Sequence, residues 1–184
     1  MRPLVWLLVC AGVLVATGCG DDDGTMMMPA DGAMPSPMSC GSTAAMDVGR
    51  CVLDAGGECR GAVGETFSFS GLSAGDPMSM VVGPQGSTMI VFMVRATGID
   101  PGDAATESTQ PFVEVSLFDG ATQLTVFRQR TAFTGTGPFV SRQLWVVVDA
   151  LASALAGHTV TAVARLTDRN GEARCGIVNV VPQT

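Results

Sequence analysis

A serine between glycines is the sequence feature closest to catalytic machinery. Residues 71–75 (GLSAG) match the GxSxG nucleophile elbow, and Ser73, Asp119 or Asp149, and His158 follow in the chain order of a serine–acid–histidine triad. The elbow needs a helix directly after the serine, because the sharp strand-to-helix turn exposes the hydroxyl. The residues after Ser73 instead favour a turn and a second strand. We therefore expect a plain turn and no enzymatic activity, with hydrolysis as the least favoured function.

Methionines form a second group of candidate functional residues. Thioether sulfur is a soft ligand that suits Cu(I). The candidate copper ligands lie before the main domain, at Met26, Met27, Met28, Met34 and Met38. Their spacing is irregular and no histidine lies among them, so a low-complexity spacer is the favoured interpretation. We expect no metal or other cofactor, and copper binding in the periplasm is the alternative function.

The N-terminus has the layout of an export signal. Leu4–Ala16 is an uncharged, mostly apolar run of thirteen residues, shorter than the roughly 20 residues of a bilayer span. Residues 16–19 (ATGC) resemble the lipobox of bacterial lipoproteins, which implies cleavage before Cys19 and its lipidation. Ordinary secretory cleavage is the alternative, because Ala16 stands where the lipobox usually has leucine. Gly20 replaces the aspartate that favours inner-membrane retention, so we expect an outer-membrane lipoprotein.

The remaining cysteines predict disulfides. Outside the first nineteen residues the chain has Cys40, Cys51, Cys59 and Cys175. An even number in an exported protein indicates two bridges, for which three pairings are open. We favour a bridge from the 40–60 segment to Cys175, because closing a long loop stabilises more. The spacing does not match the CxxC pairs of structural zinc sites.

Composition divides the chain into three parts. We expect a signal peptide over 1–18, a lipidated low-complexity tether over 19–45 and a domain over 46–184, with its core at about 61–184. Residues 20–45 contain no valine, leucine, isoleucine or aromatic residue, which predicts a disordered spacer. The net charge of −7 without lysine or a basic cluster argues against nucleic-acid binding. The expected partners are the membrane, through the lipid, and a protein or glycan.

The domain has the pattern of short strands separated by turns. Seven or eight strands in this length predict a two-sheet antiparallel β-sandwich, with a barrel as the alternative. The apolar runs Thr88–Thr97 and Leu144–Val148 predict central strands, and Arg95 should lie near a strand end or pair with a carboxylate. Only Ala150–Gly157 has helical tendency. The predicted strands are Thr66–Ser70, Met78–Val82, Thr88–Thr97, Phe112–Phe118, Thr122–Arg130, Arg142–Ala150, Thr159–Asp168 and Ala173–Val181.

Two hairpins have predicted registers. A two-residue turn at Asp119-Gly120 would place Leu117 opposite Thr122. A turn at Asn170-Gly171 would place Leu166 opposite Cys175, which would direct the cysteine into the core.

A proline–glycine turn before an apolar strand carries a family resemblance. Residues 82–89 (VGPQGSTM) resemble a GPQGG-x-H stretch of small exported lipoproteins of myxobacteria, and agreement with the C-terminal hairpin is looser. The resemblance implies an immunoglobulin-like displayed domain. Met89 stands at the histidine position, so a metal site there would suit only soft copper, and a structural role would leave Met89 to pack. Pro84 and Gly86 at the second and fourth positions favour a β-turn over a binding site. We expect a non-catalytic binding or structural module of the cell envelope.

Overall fold

The computed structural model describes residues 37–53, 59, 67–83 and 85–184. The predicted signal peptide, Cys19 and residues 20–36 of the predicted tether lie outside the described residues. Among the residues that are described, no helix is long and apolar enough to cross a membrane.

The described chain is all-β, as the sequence predicts. A 3-10 helix, Glu107–Thr109, and one short α-helix, α1 (Ala152–Leu155), accompany twelve strands. The strands are β1 (Ala44–Ala45), β2 (Asp47–Cys51), β3 (Phe69–Gly71), β4 (Asp76–Val82), β5 (Thr88–Ala96), β6 (Phe112–Asp119), β7 (Thr122–Arg130), β8 (Phe133–Thr134), β9 (Phe139–Ser141), β10 (Leu144–Val148), β11 (Val160–Thr167) and β12 (Ala173–Gln183).

The strands form one mixed hydrogen-bonded network, in the order β3-β2-β5-β4-β12-β11-β6-β7. Strand β5 lies at the centre of one part of it, as its apolar sequence predicts. Its first half pairs with both β4 and β10, and Arg95 near its end pairs with both β2 and β9. Because β9 and β10 are consecutive, they lie along one edge of β5, and β2 and β4 share the other edge.

Two segments connect the part around β5 to the part around β12. Asp76–Ser79 of β4 pairs with β12 while Met80–Val82 pairs with β5. The β1–β2 segment divides its pairing between the same two strands. Where the β1–β2 segment passes from β12 to β5, Gly176 of β12 lies against the Met46 carbonyl. A Cβ on residue 176 would collide with that carbonyl oxygen.

One apolar core joins the two parts. Buried side chains of β5 and β10 belong to the same cluster as those of β6, β11 and β12. Strands β5 and β10 do not pair with β6, β11 or β12, so the sheet must fold over for their apolar faces to meet. A smaller cluster on the opposite side of the β6–β11–β12 region contains Phe118, Val163 and Cys175, packed with Met38 and Cys40.

The folded part begins earlier than the composition indicates. Residues 37–45, predicted as spacer, lie on the domain: Ala44 and Ala45 pair with β12, and Arg165 donates to the carbonyl oxygens of Pro37 at 2.7 Å and Ser39 at 3.1 Å. Strand β2 also precedes the predicted start of the core. Local apolar content is low there, and the segment is ordered through partners that are distant in sequence.

The Asp119-Gly120 register prediction is wrong. Asp119 pairs with Thr122, so the turn residues are Gly120 and Ala121, and a shift next to Leu117 places that residue opposite Thr125. The extra residue of β7, Leu124, packs against the main core. A bulge of this kind accommodates one unpaired residue and changes the register beyond it.

The Asn170-Gly171 register prediction is also wrong. Thr167 pairs with Ala173, which leaves a five-residue loop, and Cys175 lies opposite Arg165 instead of Leu166. The Asp168 carboxylate accepts hydrogen bonds from the loop N–H groups of Asn170 and Glu172, both at 2.9 Å. Because the register differs by one residue, Cys175 is buried on the side opposite Leu166, in the smaller cluster.

The structure has two disulfides, the number that the sequence predicts, and one of them is the favoured bridge from the 40–60 segment to Cys175. Cys40 joins Cys175 across a sequence separation of 135, and Cys51 joins Cys59 across a separation of 8. The first bridge attaches the start of the folded chain to β12, beside the β1 pairing. The second closes a short loop at the end of β2. Two disulfides indicate an oxidising compartment outside the cytoplasm.

Candidate binding cleft

An open cleft of about 520 Å³ lies where β2, β4, β5 and β10 meet. This size falls within the roughly 300–1,000 Å³ range of small-molecule sites. Apolar side chains and the short disulfide contribute most of its wall. The lining residues are Arg50, Cys51, Leu53, Cys59, Met78, Ser79, Val81, Val91, Gln143 and Trp145.

The cleft continues into an apolar face of the three-stranded β4–β5–β10 region. Two rows of side chains follow directly from the register: Trp145 opposite Val91, and Val147 opposite Met89, which is opposite Val81. We call these five residues the apolar ladder. Trp145, Val147 and Val81 remain 43%, 41% and 38% exposed, respectively.

The apolar ladder is not accounted for by the core. In β10, Leu144, Val146 and Val148 are buried in the main cluster, whereas the two alternate residues point outward. Among the described residues β10 pairs only with β5, so its prediction as a central strand is wrong. The sequence carries a signal of this face, because apolar residues occupy both faces of β10, but the same pattern is also typical of a strand buried on both faces.

A few polar groups lie among the apolar lining. Arg50 is held at the cleft by its guanidinium, which donates to the Pro77 carbonyl oxygen at 2.7 Å. Ser79 and Gln143 add a hydroxyl and an amide. Within the described lining, Arg50 is the one charged side chain. A mostly apolar cleft with a few donors suits a ligand that has an apolar body and a hydrogen-bond-accepting end.

The GxSxG residues lack the elbow's required context. After Ser73 the chain makes a turn and enters β4, where the motif needs a helix. The Ser73 backbone N–H donates to the Asp76 carboxylate at 2.9 Å, which closes this turn. The side chain of His158 is 58% exposed and lies 3.8 Å from the Asp119 carboxylate. Asp149 is exposed as well.

The candidate copper ligands are only partly described. Met26, Met27, Met28 and Met34 lie outside the described residues, and Met38 packs with the Cys40–Cys175 cluster. No group of three or more histidine, cysteine, aspartate or glutamate side chains suited to a metal is found in the described part of the chain.

The described residues of the GPQG segment form the predicted turn, and Pro84 lies outside the described residues. The Gly86 N–H donates to the Gly83 carbonyl at 2.9 Å, and Gly86 adopts a positive φ of 79°. This turn joins β4 to β5 and thereby sets the register of the apolar ladder. Met89 packs toward Gly83, where a Cβ would meet its terminal methyl group. The prediction that Arg95 pairs with a carboxylate is confirmed, since it contacts Asp47 at 2.7 Å.

A group of carboxylates around Asp168 is explained by the fold. Asp168 is buried and accepts from the backbone N–H of Asp100 at 2.7 Å, in addition to its two loop contacts. The Gly102 N–H that donates to Asp100 lowers the pKa of that carboxyl below its ordinary value, and Arg169, at 2.6 Å, lowers it further. These contacts connect two loops, which gives the carboxylates a structural role.

Comparisons with known proteins do not assign the cleft. No protein-family model matches the chain, and no curated protein or solved structure matches it. The class of protein that the geometry defines is an all-β, disulfide-bridged domain with an exposed apolar cleft.

Proposed function

We propose that this protein is a lipid-anchored module of the cell envelope whose open cleft serves non-catalytic binding.

 The observation that carries the proposal is the apolar ladder, which is exposed beside a cleft although the core beneath it is complete. Contiguous exposed apolar surface of this kind marks binding sites. The partner would be held by apolar contact with Trp145 and its neighbours.

The proposed attachment is the covalent lipid on Cys19, following an exported signal over residues 1–18. The two disulfides support export, because such bridges persist in oxidising compartments. The acidic, lysine-free chain would gain little from anionic lipid headgroups, so the acyl chains would provide the membrane affinity. We place the protein in the outer membrane on the basis of Gly20.

The proposed architecture is an immunoglobulin-like sandwich, with a barrel as the alternative. The folded-over sheet and the main core that its two parts share support the sandwich. We also propose kinship with the exported myxobacterial lipoproteins that share the GPQG turn, on the resemblance of residues 82–89.

The anchor is tested by labelling cells with a radioactive fatty acid. Wild type and Cys10→Ala should incorporate label and fractionate with membranes, because Cys10 lies within the predicted signal. Cys19→Ala should lose the label. Equal labelling of Cys19→Ala and wild type would show that the anchor is misassigned.

Binding by the cleft is tested with an environment-sensitive apolar dye added to the purified full chain. Val81→Asn should weaken dye binding by about fivefold, because it places an amide on the apolar ladder. Leu151→Asn is the matched control, since Leu151 is exposed but does not line the cleft. If both variants bind the dye as wild type does, the cleft is not the binding site.

A further inference from the structure

We propose that the cleft takes an unesterified long-chain carboxylate, whose acyl chain lies along the apolar ladder and whose carboxylate meets Arg50. This inference rests on the proposed binding function and names the ligand class for the same cleft. It concerns a free acyl chain as ligand, which is distinct from the covalent lipid on Cys19.

The apolar part of the cleft fits an aliphatic chain. Val81, Val91 and Leu53 contribute branched aliphatic groups, and Trp145 adds a broad aromatic surface. Across β4, β5 and β10 the apolar ladder covers two strand spacings, or about 10 Å. An extended acyl chain can contact all of these groups without leaving a polar atom of its own unpaired, because methylene groups need no hydrogen bonds.

The polar part of the cleft fits the acid end. Arg50 presents a planar set of N–H donors that matches the two oxygens of a carboxylate. Its contact with the Pro77 carbonyl uses one terminal nitrogen and fixes the side chain against β4. Ser79 and Gln143 offer further donors in the same lining. In the described lining there is no carboxylate to compete for the guanidinium.

Charge and shape together favour this ligand over the other occupants of an apolar face. A second copy of the chain would bring a net charge of −7 spread over its surface, whereas a monocarboxylate brings one negative charge and places it at Arg50. A purely apolar ligand would leave Arg50 desolvated without a new partner, which costs binding free energy. A carboxylate with an aliphatic chain satisfies both parts of the cleft.

The position of Trp145 provides a direct assay. The chain has two tryptophans, Trp6 and Trp145, and no tyrosine. In the full chain carrying Trp6→Phe, Trp145 is therefore the one tryptophan, and its fluorescence reports on the cleft. Bromine quenches tryptophan at short range, so dibromostearate should quench Trp145 in a saturable way that unbrominated stearate reverses.

The headgroup requirement is tested by comparing dibromostearate with its methyl ester at neutral pH, in a non-ionic detergent. We expect the acid to bind about tenfold more tightly than the ester, as is typical of a charged hydrogen bond. Arg50→Gln should remove that difference, and Arg128→Gln should preserve it, because Arg128 is exposed on β7 outside the cleft.

Three results would overturn the inference. These are an absence of saturable quenching, equal affinities for the acid and the ester in wild type, and an unchanged preference for the acid in Arg50→Gln. If wild type does not bind the acid but Val81→Asn still weakens binding of the apolar dye, the ligand class is wrong and the proposed function stands. If the dye does not bind at the cleft, both the proposed function and the ligand class are wrong.

Discussion

The two disulfides should differ strongly in what they contribute to stability. The perturbation is a pair of double variants, Cys40→Ala/Cys175→Ala and Cys51→Ala/Cys59→Ala. Each opens one bridge and leaves the other intact. The bridges close loops with sequence separations of 135 and 8, so the chain itself offers a comparison of a long loop with a short one.

The expected magnitudes follow from the entropy that each cross-link removes from the unfolded chain. For the long loop the loss of stabilisation is about 5 kcal/mol, and for the short loop it is about 2.6 kcal/mol. Cys175 is also only 3% exposed, so its replacement by alanine removes some packing in the smaller cluster and acts in the same direction. Removing the long bridge should therefore cause the larger loss of stability.

Urea unfolding followed by Trp145 fluorescence measures both losses. Reducing the Cys51→Ala/Cys59→Ala variant provides the control, because it opens the long bridge while keeping both of its cysteine side chains. The unfolded chain should expose more surface without the bridge, which raises the urea dependence of the free energy of unfolding. Equal losses for the two double variants, or a larger loss for the short loop, would refute the loop-length reasoning.

Three further outcomes are expected from urea unfolding of single variants. Val146→Thr should lower the free energy of unfolding by about 1–3 kcal/mol, because it buries a hydroxyl in the core. Val147→Thr, on the exposed face, should change it by less than about 0.5 kcal/mol. Similar losses for the two variants would contradict the assigned faces of β10. Asp168→Ala should cost about 2–4 kcal/mol, because three backbone N–H groups lose their acceptor, and a loss no larger than that of exposed Asp149→Ala would count against that role. The pKa of Asp100 is lowered in the folded state, so the stabilisation that its carboxylate provides is present above the unfolded pKa and is lost as the pH falls through the folded pKa. The difference in stability between wild type and Asp100→Asn should therefore shrink on acidification. A difference that does not depend on pH would contradict this.

The sequence predicted those strands whose apolar pattern is continuous. The bounds of β7 agree with the prediction, those of β5 and β6 differ by one residue at one end, and those of β11 differ by one residue at each end. The helical tendency of Ala150–Gly157 is confirmed as the single turn α1. In these segments the local pattern and the fold favour the same structure, so period-two burial identifies them.

The failed predictions share a different physical cause. The register of β6 with β7 depends on Leu124, and a bulge has no marker in the local pattern. The loop before β12 depends on the buried Asp168 carboxylate, whose partner Asp100 is distant in sequence. Strands β1 and β2 exist because β12 and β5 provide partners for them. None of these contacts can be obtained from neighbouring residues.

The cleft was missed because one pattern has two structural causes. A run such as Leu144–Val148 is apolar on both faces either when both faces are buried or when one face binds a partner. The exposure of Trp145 and Val147 in the folded chain separates these causes. The position of Arg50 near this face depends in turn on the crossing of β1–β2, which the sequence did not reveal.

The Cys40–Cys175 bridge also relates the proposed tether to the cleft. In the anchored protein, tension on the tether would reach the domain at its first described residues, next to Cys40. The β1 pairing that follows is only two residues long, and β2, which carries Arg50 and Cys51 of the cleft, begins after one further residue. A covalent bond from Cys40 to β12 transfers the load to a strand paired along its length with β11. The bridge can therefore hold the tether without moving the strand that forms one wall of the cleft.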